Sequence, residues 1–491
     1  MKKNFHGSSL LSAGLMSALA FSGLALAQET LDTRIGKLTF THDFVSGYPT
    51  QATVDTLFDA RDFQRATQLY LWALPMVSLG EVEQVLMSTP GANRNDIFRT
   101  DTLPETRRFL TANATTPYVT AWLDLQQSGP LVLEIPAGAI AGLVNDLWQR
   151  PVADIGLPGP DKGLGGKYLV LGPGQAEPEG ADDYIVVRST TFNNLWLIRL
   201  LSPDDRERES IRANVRLYPF SQRAAPPPNK LLSVGGGTSF ANAPRGLAYW
   251  EKLSRWVNAE PVQERDRIMM AMLRSLGIEK GKPFQPDARM QKLLTEATLV
   301  GEAMAKVNGY ERRDMPQAYY AEGSQWKFAL NQDLSQEAAN HTQLDERSAW
   351  FYEATATSKG MMSKTPGVGS AYLSSYKDHD GNWLDGANSY RLHVPANPPA
   401  SQFWSVTAYD VSSRALIQNN SDIVDRSSRH ALKKNADGSV DVYFGPKAPA
   451  GFEQNWIPTL AGKAWFPYFR LFGPTEAHFD KSWTLPDIEK I

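Results

Sequence analysis

Apolar positions along the chain change their spacing several times, and each change predicts a change of element. From Asp62 to Leu86 the apolar residues Ala66, Leu69, Tyr70, Ala73, Leu74 and Val77 recur at three and four, which predicts a helix. Pro75 inside it is expected to kink it or end its first half. Residues 28–58 before it read as an irregular lead-in, and residues 103–112 as a short helix. From Tyr118 the period falls to two. YVTAWLDL and PLVLEI predict a pair of strands across a Gln-Gln-Ser-Gly turn. Further strands are expected within residues 144–155, 167–171 and 183–191.

Helical spacing then returns. Residues 204–214 form a charged helix behind Pro203, and residues 247–276 a helix broken near Pro261. Residues 286–308 carry Leu293, Leu294, Ala297, Val300, Gly301 and Met304 on one face. From Tyr372 to the end the chain alternates again, most densely between Phe403 and Ile488. There aromatic and polar residues interleave and Gly-Pro and Asp-Gly pairs mark turns, as in an antiparallel sheet. The fold class expected is α+β, mostly β: two antiparallel β-sandwich-like modules joined and flanked by a helical segment. The boundaries are 1–27 for a signal peptide, 28–202 for the N-terminal helix and β module, 203–330 for the helical connector and 331–491 for the C-terminal module.

The signal peptide rests on Lys2 and Lys3, the apolar run from Leu10 to Leu26, and Ala25-Leu26-Ala27 before Gln28. A run of about 17 residues rich in Ala, Ser and Gly is short and polar for a membrane anchor. The expectation is a protein released into the periplasm or secreted, with no integral membrane segment after cleavage. Composition agrees with a globular chain: 42% hydrophobic and 21% charged residues over 491 positions. A formal charge of -3 with no Arg-rich stripe gives no field to gather nucleic acid. The absence of cysteine removes thiol nucleophiles, disulfides, haem attachment and Cys-bound zinc.

Candidate chemistry is sparse. His42, His341, His379, His393, His430 and His478 show no i,i+2 or i,i+4 pairing and no HExxH. Asp378, Asp380, Asn382 and Asp385 present oxygens around Gly381, so calcium is the one cofactor considered, against the plainer reading of a turn. Gly237-Thr-Ser239-Phe-Ala241 falls short of a nucleophile elbow. Lys162 and Lys167 bracket a glycine run that could cradle an anion, although it leads into a strand rather than a helix. Asp124, Asp146, Asp410 and Asp480 sit among apolar or aromatic neighbours, where burial would raise their pKa values. Trp383, Trp404, Trp456, Trp465 and Trp483, beside Tyr409, Tyr443 and Tyr468, form either a stacking platform for flat ligands or the core of the sheets.

Several of these segments resemble a known bacterial pairing of modules. FWSVTAYD, DGSVDVYFGP, NWIPT, WFPYFRLFGP and DKSWTLPDI, within residues 390–488, resemble domain of unknown function 1214. YLWALPMV, TAWLDLQQSGPLVLEIP, PDKGLGGKYLVLGPG and VVRSTT, within residues 70–191, resemble its companion, domain of unknown function 1254. The resemblance implies an exported protein of two sandwich-like modules with a helical connection, and implies no settled activity. It also implies an Asp where this chain has Thr115. Asn113, Thr116, Tyr118, Trp122 and Asp124 remain as a polar and aromatic cluster.

The leading expectation is that a small organic molecule, anionic or neutral, is bound or hydrolysed at the junction of the two modules. Lys162, Lys167 and Arg470 would hold the anionic group, Tyr118 would orient or stack, and Asn113, Thr116 and Trp122 would complete the binding set. Asp124 or Asp410 would handle a proton, or His430 would activate water. The competing expectation is a non-catalytic envelope protein whose aromatic sheet face binds glycans or a partner protein. Assembly into a homo-oligomer is compatible with either.

Overall fold

A computed structural model describes residues 28–491, and the signal-peptide expectation lies outside them. The described residues divide after Arg61 into two compact units. In the first, the residues read as an irregular lead-in form a hairpin, Glu29–Thr33 paired antiparallel with Gly36–Phe40. Gly36 makes the turn with φ +117°, a conformation that L side chains rarely adopt. Thr53 clips the helix start to this hairpin: its hydroxyl accepts from Thr39 N–H at 2.7 Å and donates to the Thr39 carbonyl at 3.0 Å.

The helix Gln51–Met87 runs on through Pro75, where a kink or break was expected. All ten residues from Leu71 to Gly80 are buried, so packing on every side outweighs the roughly 3 kcal/mol a mid-helix proline costs. Close approach fixes Gly80 of this helix and Gly301, which packs against it. A Cβ on Gly80 would overlap the Trp256 indole, and one on Gly301 the Tyr70 ring.

The N-terminal module holds two sheets. The six-stranded sheet has the order Leu231–Ser233, Ile97–Thr100, Tyr118–Asp124, Asn193–Leu200, Ile140–Asp146, Pro151–Gly156. The four-stranded sheet has the order Arg216–Pro219, Leu131–Ile135, Gly166–Leu171, Ile185–Arg188. One apolar layer, with Val119, Ala121 and Leu123 from the first sheet and Leu131, Leu133 and Ile135 from the second, fills the space between them.

The strands expected to pair across Gln126–Gly129 therefore lie in different sheets. Asp124 accepts the Gln127 N–H at 3.0 Å and caps the helical turn Leu125–Ser128, which carries the chain from one sheet to the other. The stretch read as one strand in residues 144–155 is a hairpin of two. Asn193–Leu200, central in its sheet, was not foreseen. Its first four residues are all buried, so it lacks the in-out alternation that marks a strand.

The helices expected after residue 203 are present as Asp205–Asn214, Leu247–Ala259, Arg267–Ser275 and Ala288–Tyr310, but the strands Arg216–Pro219 and Leu231–Ser233 from the same stretch join the N-terminal sheets. Asp204 and Asp287 cap the first and last of these helices through their side chains. A further helix, Leu344–Glu353, precedes the C-terminal module. That module again has two sheets. One has the order Lys327–Phe328, Ser370–Ser374, Trp465–Pro474, Ala400–Asp410, Asp425–Ser427. The other has the order Trp456–Pro458, Val440–Gly445, Tyr390–Val394, Glu489–Lys490.

The fold is α+β, with helix and strand in nearly equal shares. Pairing is mostly antiparallel, but three strand pairs are parallel: Leu231–Ser233 with Ile97–Thr100, Gly166–Leu171 with Ile185–Arg188, and Val440–Gly445 with Trp456–Pro458. A single core cluster takes in the central helix, Trp122 and Leu195 of the N-terminal module, and Tyr409 and Phe466 of the C-terminal one. Among the described residues no helix is long and apolar enough to cross a membrane.

Candidate functional site

One face of the five-stranded C-terminal sheet is polar where it is buried. Register places Arg470 opposite Ser405 on one side and Tyr372 on the other. In the next row on that face Tyr468 stands between Thr407 and Ser374. Ser405, Thr407, Ser374 and Tyr468 have no exposed surface, and Arg470 is 3% exposed. Burying such groups is costly unless they are satisfied. Yet Arg470 Nη1, Tyr372 Oη and Ser405 Oγ make no hydrogen bond with any described residue.

The segment Thr111–Tyr118 of the N-terminal module crosses this face and is held from below. Arg470 Nη2 donates to the Thr111 carbonyl at 2.8 Å, and Tyr409 Oη donates to the Ala112 carbonyl at 2.9 Å. Thr111, at φ +37°, donates its N–H to the Arg414 carbonyl at 2.7 Å. Thr115 Oγ1 donates to Asp425 Oδ2 at 3.0 Å. The segment braces itself as well: Tyr118 Oη accepts the Asn113 N–H at 2.9 Å, and Asn113 Nδ2 donates to Thr116 Oγ1 at 3.1 Å.

Arg199 approaches from the opposite side. Register places it beside Tyr118, its guanidinium carbon is 6.0 Å from that ring centre, and its Nη2 is 3.9 Å from Met361 Sδ. Between these groups lies a cavity of about 80 Å³. Its polar end is made by Arg199, Arg470, Tyr118, Tyr372 and Asn113, and its apolar end by Leu110, Leu195 and Trp350 among others. Two cations thus line one cavity from two modules, Arg470 buried and Arg199 partly exposed. No carboxylate forms an ion pair with either among the described residues.

Burial opposes the charge on both guanidiniums, but the phenols around them prevail and push both pKa values up. Tyr372 and Tyr118 do this for Arg199, and Tyr409, Tyr372 and Tyr118 for Arg470. Burial also pushes the Tyr409 phenol up to about 12. Asp425 is held above the usual carboxylate range by burial, against the pull of His430 and of the Thr115 hydroxyl. A smaller cavity of about 30 Å³ adjoins the first and shares Leu197, Arg199, Met361 and Phe472 with it.

Of the residues singled out from sequence, Asn113, Tyr118 and Arg470 line the main cavity and Thr116 braces Asn113. The others lie elsewhere. Trp122 packs 5.8 Å from Trp256 in the core and donates to Asn193 Oδ1. Asp124 pairs with Arg94 at 2.8 Å. Asp410 accepts the Gln418 N–H at 3.1 Å, and burial pushes its pKa up. His430 is exposed, accepts the Ser427 N–H and lines a separate open groove with Trp404. Lys162 occupies a left-handed turn position at φ +48°, and Lys167 pairs with Glu134 at 3.1 Å.

In the loop considered for calcium, Asp378 Oδ1 accepts the Asn382 N–H at 2.9 Å and Asp385 Oδ1 accepts the Ala387 N–H at 2.8 Å. Asp380 is exposed at the tip. No group of three or more histidine, aspartate or glutamate side chains is gathered for a metal among the described residues. Trp404, Trp465, Trp483, Tyr409 and Tyr468 are buried, whereas Trp383 is 50% exposed. Arg199, Tyr372 and Met361 were missed from sequence. A lone arginine inside the apolar run LWLIRLL was the available signal for the first of them.

Residues 93–219 match the family described as protein of unknown function DUF1254, and residues 369–476 match the protein of unknown function DUF1214. The chain carries both modules in the order its motifs suggested. The first match begins after YLWALPMV, so that motif falls outside it. No curated protein matches the chain. The crystal structure of the VPA0106 protein from Vibrio parahaemolyticus is similar at 16% identity, covering 88% of this chain and 100% of that one with a TM-score of 0.56. That likeness is one of fold. An uncharacterized protein from Burkholderia cenocepacia aligns at 12% identity over 90% of this chain and 96% of its own, with a TM-score of 0.40.

Proposed function

We propose that this protein binds a small organic anion in the cavity between its two modules, in the periplasm or outside the cell. The observation that carries the reading is the convergence of Arg199 and Arg470 on one cavity without a paired carboxylate. Two unpaired guanidiniums in a low-dielectric site are unfavourable alone and strongly attract an anion. The free Nη1 of Arg470 and the free hydroxyl of Tyr372 supply donors for it. Export is supported by Lys2, Lys3 and the apolar run before Gln28. The reading is one of binding, since Asp124 and Asp410, expected to move a proton, do not line the cavity.

Thermal unfolding of residues 28–491 with a panel of small organic acids and their neutral amides tests this. Acids raise the melting temperature, amides do not, and Arg199→Met removes the effect. Equal responses to acids and amides, or none to either, would overturn the reading.

A further inference from the structure

Resting on that anion site, the geometry points to a narrower ligand class: a phenolic acid, whose carboxylate meets the two arginines and whose hydroxyl, at the other end of an aromatic ring, meets Thr355.

Strand register sets the two ends of the cavity. Leu195, Leu197 and Arg199 alternate onto one face of their strand and all line it. Leu195 and Arg199 are four residues apart on that strand, about 13 Å. The loop from Ala354 to Met361 runs alongside in the same direction. Near its start, Thr357 N–H donates to Asn145 Oδ1 at 2.9 Å and the Thr357 carbonyl accepts from Asn145 Nδ2 at 2.7 Å. Register places Asn145 opposite Leu195. Trp350 Nε1 donates to the Ala356 carbonyl at 2.9 Å and closes the same end. At the loop's other end Met361 Sδ lies 3.9 Å from Arg199 Nη2. Thr355 therefore stands at the Leu195 end. Arg470 stands at the Arg199 end, since Tyr118 and Tyr372 lie beside both guanidiniums.

The polar atoms sort along the same axis. At the arginine end Arg470 Nη1 and the Tyr372 hydroxyl are free to donate, and a planar carboxylate takes guanidinium donors two at a time. Thr100, which pairs with Tyr118, and Thr111, whose carbonyl Arg470 holds, belong to this end. Midway, Thr120 lies opposite Leu197 and donates its hydroxyl to the Trp196 carbonyl at 2.7 Å, so this part of the wall offers no free donor. At the far end Thr355 Oγ1 is buried and makes no hydrogen bond with any described residue. A buried hydroxyl left unpaired is unfavourable, and it can donate once and accept twice. A ligand hydroxyl at that end satisfies it. Phe109, Trp350 and Phe472 among the leucines give the body an aromatic lining that fits a flat ring. About 80 Å³ corresponds to a ligand on the order of ten non-hydrogen atoms. The span of about 13 Å holds one hydrogen bond at each end and a ring between them.

Calorimetric titration into wild type, Thr355→Val, Thr355→Ser and Arg199→Met tests the inference. The probes are benzoate, phenylacetate and hydrocinnamate, each unsubstituted, with a para-hydroxyl and with a para-methyl group of similar size. In the wild type at least one para-hydroxy acid binds about tenfold more tightly than both its parent and its methyl counterpart. Thr355→Val keeps the side chain's shape and removes only a hydroxyl that has no partner within the chain, so the fold is retained. It abolishes the preference for the hydroxyl while changing the unsubstituted acids less than threefold. Thr355→Ser retains the preference, and Arg199→Met weakens every acid. Absence of any gain from the para-hydroxyl in the wild type, or a gain that survives in Thr355→Val, would overturn the phenolic class while leaving the anion site standing. Failure of every acid to bind the wild type would overturn both.

Discussion

Arg470 and Thr111 stand 359 positions apart in the chain and meet at 2.8 Å, the guanidinium of one donating to the backbone carbonyl of the other. This bond and that of Tyr409 to the neighbouring Ala112 carbonyl hold the two family segments together at the cavity.

The two cavity arginines differ in what else they do, so their substitutions separate stability from binding. Arg470→Met removes a charged hydrogen bond and strands the Thr111 carbonyl, a loss of about 2–3 kcal/mol in urea unfolding. Arg199 has no ion-pair partner and lies beside the Tyr118 and Tyr372 phenols and the Met361 sulfur, so Arg199→Met should cost less than Arg470→Met. A larger loss in Arg199→Met than in Arg470→Met would contradict the roles given to them.

Glu353 is buried without exposed surface and accepts from two phenols, Tyr376 Oη at 2.7 Å and Tyr468 Oη at 2.7 Å. Glu353→Ala orphans both hydroxyls and opens a cavity, so it should cost about 3–5 kcal/mol. Glu353→Gln keeps an acceptor and should cost about 1–2 kcal/mol. Chemical denaturation of the two variants checks the difference.

His478 gives the fold an acid-sensitive limb. Burial, then the charge of Lys481, lowers its pKa from 6.5 to about 4. Between those values the unfolded chain takes up a proton that the native one refuses, so stability falls as pH falls through that window and is unaffected above it. The full effect is about 3 kcal/mol. His478→Phe, which keeps the stacking on Tyr320, should flatten this limb in unfolding measured from pH 7 to pH 4.

Thr115 touches Asp425 at 3.0 Å, so Thr115→Asp would set two carboxylates against each other in a buried place. One of them must then hold its proton well above the usual range. A folded-state pKa raised above the unfolded one removes stability as pH rises through it. The variant should lose about 1–3 kcal/mol relative to wild type at pH 8 and much less at pH 5. Equal losses at both values would show that the two side chains do not interact.

Helices were legible where their signal is local, residues 286–308 by an apolar face and residues 204–214 by a charged run behind Pro203. Strand partners were less so. Nothing in QQSG distinguishes a hairpin from the Asp124-capped turn that sends the chain to another sheet. Asn193–Leu200 was hidden because burial on both faces erases alternation. At the site, Asn113, Thr116 and Tyr118 were legible as a cluster because they are neighbours in sequence, and Arg470 because it interrupts an aromatic run. Arg199, Tyr372 and Met361 join them only through the register of three strands and one loop, which a sequence does not display.

The segment from Thr111 to Thr116 belongs to one module by sequence and spends its carbonyls on the other. A chain that lost either segment would leave donors or acceptors dangling in a buried place, so the two segments depend on each other to fold. Two polypeptides cut within the connector should regain the native fold only when mixed, and neither half should substitute for the other.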